Sequence, residues 1–165
     1  MNGKGQDIRP GELRADLPPA EDAGLRFVGR IRTPFATRDD CPRRGDPEGP
    51  ECRLELDPVY APALEGIERF STLEVLYWLH ESRRDLLTQS PRRDGAARGT
   101  FSLRSPVRPN PIGVSSVTLV RREGATLVVR GLDCVDGTPL IDLKPDRCDH
   151  AVRRDGAGET TPGDA

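Results

Sequence analysis

Three observations predict a mainly β chain, folded as a single small β-barrel with long loops and one or two short helices. Seven short apolar runs are each bounded by turn-forming or charged residues. No stretch carries the 3.6-residue apolar period for the length of a long amphipathic helix. Glycine (17) and proline (16) make up a fifth of the 165 residues, too many for a helical bundle.

The runs follow in order. Leu25–Arg32 (LRFVGRIR) opens the core, and Glu51–Leu56 (ECRLEL) alternates as a half-buried strand does. Pro58–Leu64 suits a short helix, with Asp57 as its cap and Pro58 at the first helical position. Phe70–His80 (FSTLEVLYWLH) is the most apolar stretch and reads as the central strand. Gly99–Leu103, Gly113–Arg121 (GVSSVTLVR), Thr126–Leu132 (TLVVRGL) and Leu140–Leu143 (LIDL) complete the set.

Residues 1–24 and 151–165 mix Gly, Pro and charge without periodicity. They read as a flexible N-terminal arm and a flexible C-terminal tail around a barrel domain at 25–150. Two long segments, Thr33–Pro50 and Glu81–Arg98, have no strand pattern. Long loops in a small domain point to a site built on the barrel rim.

Composition excludes several classes. The net charge of −2 gives no global field for nucleic acid or an anionic membrane. No apolar run approaches the roughly 18 residues of a bilayer-spanning helix. Cys41, Cys52, Cys134 and Cys148 form no Cys-x-x-Cys pair, so no metal is expected. With no signal-peptide order at the N-terminus, a cytoplasmic protein is expected. The glycine fingerprints of dinucleotide and P-loop sites are absent.

Five features carry possible chemistry. Phe101–Ser115 (FSLRSPVRPNPIGVS) is stiffened by Pro106, Pro109 and Pro111 and ends in Gly113, which permits a close approach or a positive φ. Arg104 and Arg108 offer planar forks for a carboxylate or phosphate, so the segment is either a pocket wall or a proline-rich edge turn. Leu132–Pro145 (LDCVDGTPLIDLKP) holds an Asp136-Gly137 turn, whose backbone groups either read a base edge or simply close a hairpin. Asp142 and Lys144 share a strand face, as site residues or as a surface ion pair. Arg43 and Arg44 follow Pro42 in the first loop, either solvated or gripping an anion. His80 ends the central run as a rim residue or a core partner. Between Arg83 and Arg108 seven arginines face two aspartates, as a phosphate footprint or a solvated basic loop.

Taken together, RIRTPF (Arg30–Phe35), PRR (Pro42–Arg44), GIERFSTLEVLYWLH (Gly66–His80), RSPVRPNPIGVS (Arg104–Ser115) and LDCVDGTPLIDLKP (Leu132–Pro145) resemble, in order and spacing, the TsaA-like or TrmO-like family. The resemblance runs from about Phe27 to about Asp149. It implies a single-barrel S-adenosylmethionine-dependent methyltransferase acting on N6 of threonylcarbamoyladenosine beside the anticodon of tRNA. It also implies a homodimer with the cofactor near the subunit interface. Carried over by residue, the cofactor pocket would include Pro42, Arg43, Arg44, His80, Glu81, Arg104, Val114, Cys134, Val135, Asp136 and Gly137. The substrate side would include Arg108, Asn110, Asp142 and Lys144. A general base for the acceptor nitrogen would come from Asp136, His80 or Asp142. The family usually has glutamine where Arg44 stands and an aromatic where Asp146 stands. A methyltransferase on a small molecule or another RNA, and a non-catalytic cofactor- or RNA-binding barrel, are the alternative readings.

Overall fold

A computed structural model describes residues 8–14, 23–91 and 95–146. Arg92, Arg93, Asp94, Cys148 and the expected tail at 151–165 lie outside the described residues. Among the described residues there are eight strands: β1 (Gly29–Arg32), β2 (Cys52–Leu56), β3 (Thr72–Trp78), β4 (Thr88–Gln89), β5 (Arg98–Gly99), β6 (Ile112–Glu123), β7 (Thr126–Arg130) and β8 (Pro139–Pro145). Six close into a barrel in the order β1-β2-β7-β6-β3-β8, and β4-β5 form a separate ribbon. Every barrel pairing is antiparallel. Closure leaves the barrel no unpaired edge.

Strand alternation builds the core. Ile31, Leu54, Leu73, Val75, Val117, Leu127, Val129 and Leu140 point inward and are at most 1% exposed. In β6, buried and exposed residues alternate strictly from Ile112 to Val120. Its outward residues there (Ile112, Val114, Ser116, Thr118, Val120) carry no charge. A bulge between Leu76 and Tyr77 shifts the β3–β8 register, so Asp142 faces Leu76 but Leu140 faces Tyr77.

Several local expectations are corrected. The short helix expected at Pro58–Leu64 is present, as a 3-10 helix with Asp57 at its N-cap position, but Asp57 makes no side-chain cap; its backbone N–H donates to the Val28 carbonyl at 3.0 Å. Gly99–Leu103 is not a strand. Pairing ends at Gly99, and Thr100–Ser102 turns as a 3-10 helix because the buried Thr100 hydroxyl donates to the Leu86 carbonyl at 2.8 Å. The first strand begins at Gly29, where an added Cβ would meet the Glu55 carbonyl at 2.1 Å.

Residues 8–14, within the segment expected as an arm, lie along the β4-β5 ribbon. Leu87 N–H donates to the Leu13 carbonyl at 2.8 Å, and Ser90 Oγ donates to the Pro10 carbonyl at 2.8 Å. Glu12, almost wholly buried, accepts from Ser90 N–H at 3.0 Å and pairs with Arg9. Arg14 pairs with Asp85 at 2.8 Å.

Candidate functional site

Strand directions put three long connections at one mouth of the barrel: 33–51 after β1, 79–111 after β3, and 131–138 after β7. They enclose a pocket of about 1120 Å³. This exceeds the ~300–1,000 Å³ of an ordinary small-molecule site, so there is room for two reactants.

Each wall has a local cause. The first loop reaches the barrel end through Gly45, where a Cβ would meet the Gly131 carbonyl at 1.8 Å. Gly131 itself has φ +107°, which only glycine adopts without strain. That backbone-on-backbone contact seats Pro42, Arg43 and Arg44 over the mouth. The proline-rich wall is pinned from behind: Arg84 Nε donates to the Pro109 carbonyl at 2.6 Å, and its guanidinium lies 5.3 Å over the Trp78 ring. Arg108 donates to the Ser105 carbonyl at 2.9 Å and to the Leu103 carbonyl.

The floor is a hydroxyl–carboxylate network. Tyr77 OH donates to Asp133 Oδ1 at 2.8 Å, and Ser115 Oγ donates to the same oxygen at 3.1 Å. The two hydroxyls are 2.8 Å apart. Tyr77 reaches this position because its cross-strand partner is Gly113, where a Cβ would fall 2.1 Å from Tyr77 Cε2. Gly113 thus serves a close approach, not a positive φ. Burial, and then the Asp133 charge, push the Tyr77 phenol far above its ordinary range, so it is a fixed donor. Burial also raises the Cys41 thiol, with Asp133 the next cause; Cys134 is pushed by burial up to about 12.

The electrostatics are lopsided. Five arginines (Arg38, Arg43, Arg44, Arg104, Arg108) line the pocket against two carboxylates, Glu81 and Asp133. No hydrogen bond or ion pair is made by Arg38, Arg43, Arg44 or Arg104 among the described residues. Several arginines elsewhere are committed, among them Arg83 to Asp85 at 2.7 Å and Arg122 to Glu68 at 3.0 Å. Four uncommitted guanidinia around one cavity make an anion receptor.

Of the expected cofactor residues, Pro42, Arg43, Arg44, His80, Glu81, Arg104, Val114, Cys134 and Val135 line this pocket, as does Arg108. Asp136 and Gly137 border the same loop but are absent from the lining. Their N–H groups do not face a ligand: Asp136 N–H donates to the Phe35 carbonyl and Gly137 N–H to the Ile31 carbonyl, each at 2.8 Å. These two N–H groups join β1 to the 131–138 loop. Asp136 Oδ1 accepts from Thr33 N–H at 3.1 Å, and Oδ2 lies 3.6 Å from Arg32. Asp142 and Lys144 pair with each other on the outer wall, and Asn110 Oδ1 faces Arg84 at 3.4 Å. None of these three lines the pocket. His80 does, and it is exposed.

Tyr77, Ser115 and Asp133 escaped the sequence reading. Asp133 carried one signal: a carboxylate between two apolar residues, Leu132 and Cys134, three positions before the Asp136-Gly137 turn. Among the described residues no cluster of His, Cys, Asp and Glu could hold a metal ion, and no helix is long and apolar enough to cross a membrane.

A closed antiparallel barrel with an arginine-lined cavity at one mouth defines a single-barrel ligand-binding class, built without a doubly wound sheet or a phosphate-binding glycine loop. Residues 30–149 match the model of the tRNA-methyltransferase O N-terminal domain, and the chain belongs to that family. It is similar to a probable S-adenosyl-L-methionine-binding protein, VirR, of Rhizobium radiobacter, at 56% identity over 85% of this chain and 80% of that one. It is also similar to the human tRNA (adenine(37)-N6)-methyltransferase, at 40% identity over 50% of this chain and 20% of that one. A crystal structure of TrmO from P. aeruginosa superposes with a TM-score of 0.64 at 30% identity, covering 87% of this chain. The chain spans 62% of the length of that TrmO.

Proposed function

We propose that the chain is an S-adenosylmethionine-dependent methyltransferase that modifies N6 of an adenosine in tRNA. At finer detail, the reading is threonylcarbamoyladenosine beside the anticodon as the acceptor. The observation that carries it is the mouth pocket, where uncommitted arginines and a fixed carboxylate share one cavity large enough for donor and acceptor. The relatives named for S-adenosylmethionine binding and for tRNA adenine methylation support the reading.

The residues fit the cofactor. Arg43, Arg44 and Arg104 are free to grip its carboxylate, and the backbone-lined part of the wall at Gly113, Gly131 and Cys134 suits a purine. When bound, the cofactor supplies an electrophilic methyl group on a cationic sulfur. The chain's part is to bind it, align the acceptor and exclude water. Of the three candidate bases, His80 is the one whose side chain borders the cavity within one chain. His80 therefore takes the proton from the acceptor nitrogen.

The RNA side of the reading rests on Arg38 at the rim and on Phe101, which is 84% exposed three residues before Arg104. Phe101 supplies a stacking face where Asp146 replaces the family's aromatic. Asn110, Asp142 and Lys144 enter through a homodimer. The uncharged outer face of β6 includes Ile112 (37% exposed) and Val114 (43%), both also at the pocket, and gives two copies a surface to share. Transfer of labelled methyl from S-adenosylmethionine to tRNA tests the activity, followed by mass analysis of the modified nucleoside. Label confined to small molecules would move the acceptor to another class, and no transfer at all would leave a binding barrel. Light scattering at the mass of one chain would remove the dimer.

A further inference from the structure

Among the carboxylates, Asp133 is unlike every other in the described structure. It is half-buried, borders the cavity, and has one oxygen held by two buried hydroxyls. Tyr77 is 4% exposed and Ser115 8%. Its other oxygen, Oδ2, makes no hydrogen bond, yet no buried side-chain oxygen or nitrogen among the described residues lacks a partner. Oδ2 therefore opens into the pocket. Glu81, the other acid of the lining, is exposed and has no such support.

We propose that Asp133, held by Tyr77 and Ser115, is a charge-selective binding residue that distinguishes a cationic sulfur ligand from its neutral thioether product. The inference rests on the cofactor reading above and assigns a role within it. A carboxylate that shares its cavity with five arginines would be neutralised by them if it could reach them, but among the described residues it makes no ion pair. Its hydroxyl partners hold it away and leave a single point of negative charge on the floor. A vicinal diol takes both oxygens of a carboxylate for a two-point grip; Oδ1 is already spent on two hydroxyls, so Asp133 has one oxygen to offer. One oxygen suits a compact cation. Methyl loss removes that cation, and with it the attraction, so the spent ligand binds less tightly. Tyr77 and Ser115 are positioning residues, because they touch Asp133 and act through it.

Calorimetry with S-adenosylmethionine and with S-adenosylhomocysteine, its uncharged thioether, tests this. In Asp133→Asn, which keeps the shape and loses the charge, affinity for S-adenosylmethionine falls about tenfold or more, while affinity for the thioether stays within about threefold. Tyr77→Phe removes one of the two fixing donors and lowers the preference for the cation by about threefold. Equal losses for both ligands in Asp133→Asn, or an unchanged preference in Tyr77→Phe, overturn the proposal. The Tyr77→Phe arm decides the matter if Asp133→Asn does not fold. Failure of the unmodified chain to bind either ligand would instead remove the cofactor reading.

Discussion

Gly113→Ala tests the geometry of the pocket floor most directly. The added methyl would sit 2.1 Å from Tyr77 Cε2, 2.5 Å from Cζ and 2.7 Å from Cδ2. The ring cannot stay, and no bend of a flexible tail relieves the overlap. Overpacking of this kind costs about 1–3 kcal/mol. Moving the ring also takes the Tyr77 hydroxyl from Asp133 Oδ1, now 2.8 Å away, a bond to a charged acceptor worth about 1.5–3 kcal/mol. A combined loss of about 2.5–6 kcal/mol lowers Tm by roughly 5 °C at the least for a chain of this size. Circular dichroism melts measure it. A double-mutant cycle then isolates the cause: with Tyr77→Ala already in place the methyl has no ring to meet and no hydroxyl to displace, so most of the cost of Gly113→Ala, about 2.5–6 kcal/mol, disappears. A Tm within about 2 °C of the parent would refute the reasoning, as would strict additivity in the cycle.

Further expectations concern other parts of the molecule. Arg104→Ala weakens S-adenosylmethionine binding by about 1–3 kcal/mol in calorimetry, through loss of a charge-assisted contact, and leaves the melt of the barrel unchanged. Gly45→Ala drives a methyl into the Gly131 carbonyl, lifts the Arg43–Arg44 wall and lowers cofactor affinity more than tenfold by the same measurement. Burial pushes Cys52 up to about 11 and Cys134 up to about 12. Both folded values lie above the unfolded thiol, so their stabilising effect is intact below about pH 8.5 and is lost as pH rises toward 11–12; urea midpoints measured across that window fall accordingly. Phe101→Ala leaves Tm within about 1 °C but weakens tRNA binding by about 1–3 kcal/mol in filter binding, because the ring is 84% exposed and free to stack.

The barrel was legible because strand alternation is a local signal. CRLEL and the run from Ile112 onward announce their inward residues with a period of two, and glycine or proline marks nearly every end. Gly99–Leu103 misled because two residues of true pairing and a 3-10 turn share one short apolar pattern. Thr100 decides between them through a hydroxyl bond to Leu86, and no local pattern shows it. The pocket walls were legible as stiff, arginine-bearing loops. The floor was not: Tyr77 is separated from Ser115 by 38 residues and from Asp133 by 56, and each residue alone looks like ordinary strand or loop. The Asp136-Gly137 turn looked available to a ligand because its amides are invisible in the sequence, and the structure spends them on Phe35 and Ile31.

The seam between residues 8–14 and the β4-β5 ribbon bears on how the pocket breathes. Its bonds join positions 71 to 80 apart in the chain and involve one short extended segment. A seam so small and so distant in sequence forms late and opens without unfolding the barrel. Arg104 and Ser105 border both this region and the main cavity. Detaching the segment would slacken the proline-rich wall from behind, so trimming or tagging the first dozen residues would alter ligand release rates at a distance. Hydrogen exchange at Leu13, Leu87 and Ser90 would register that opening while the strand amides stayed protected.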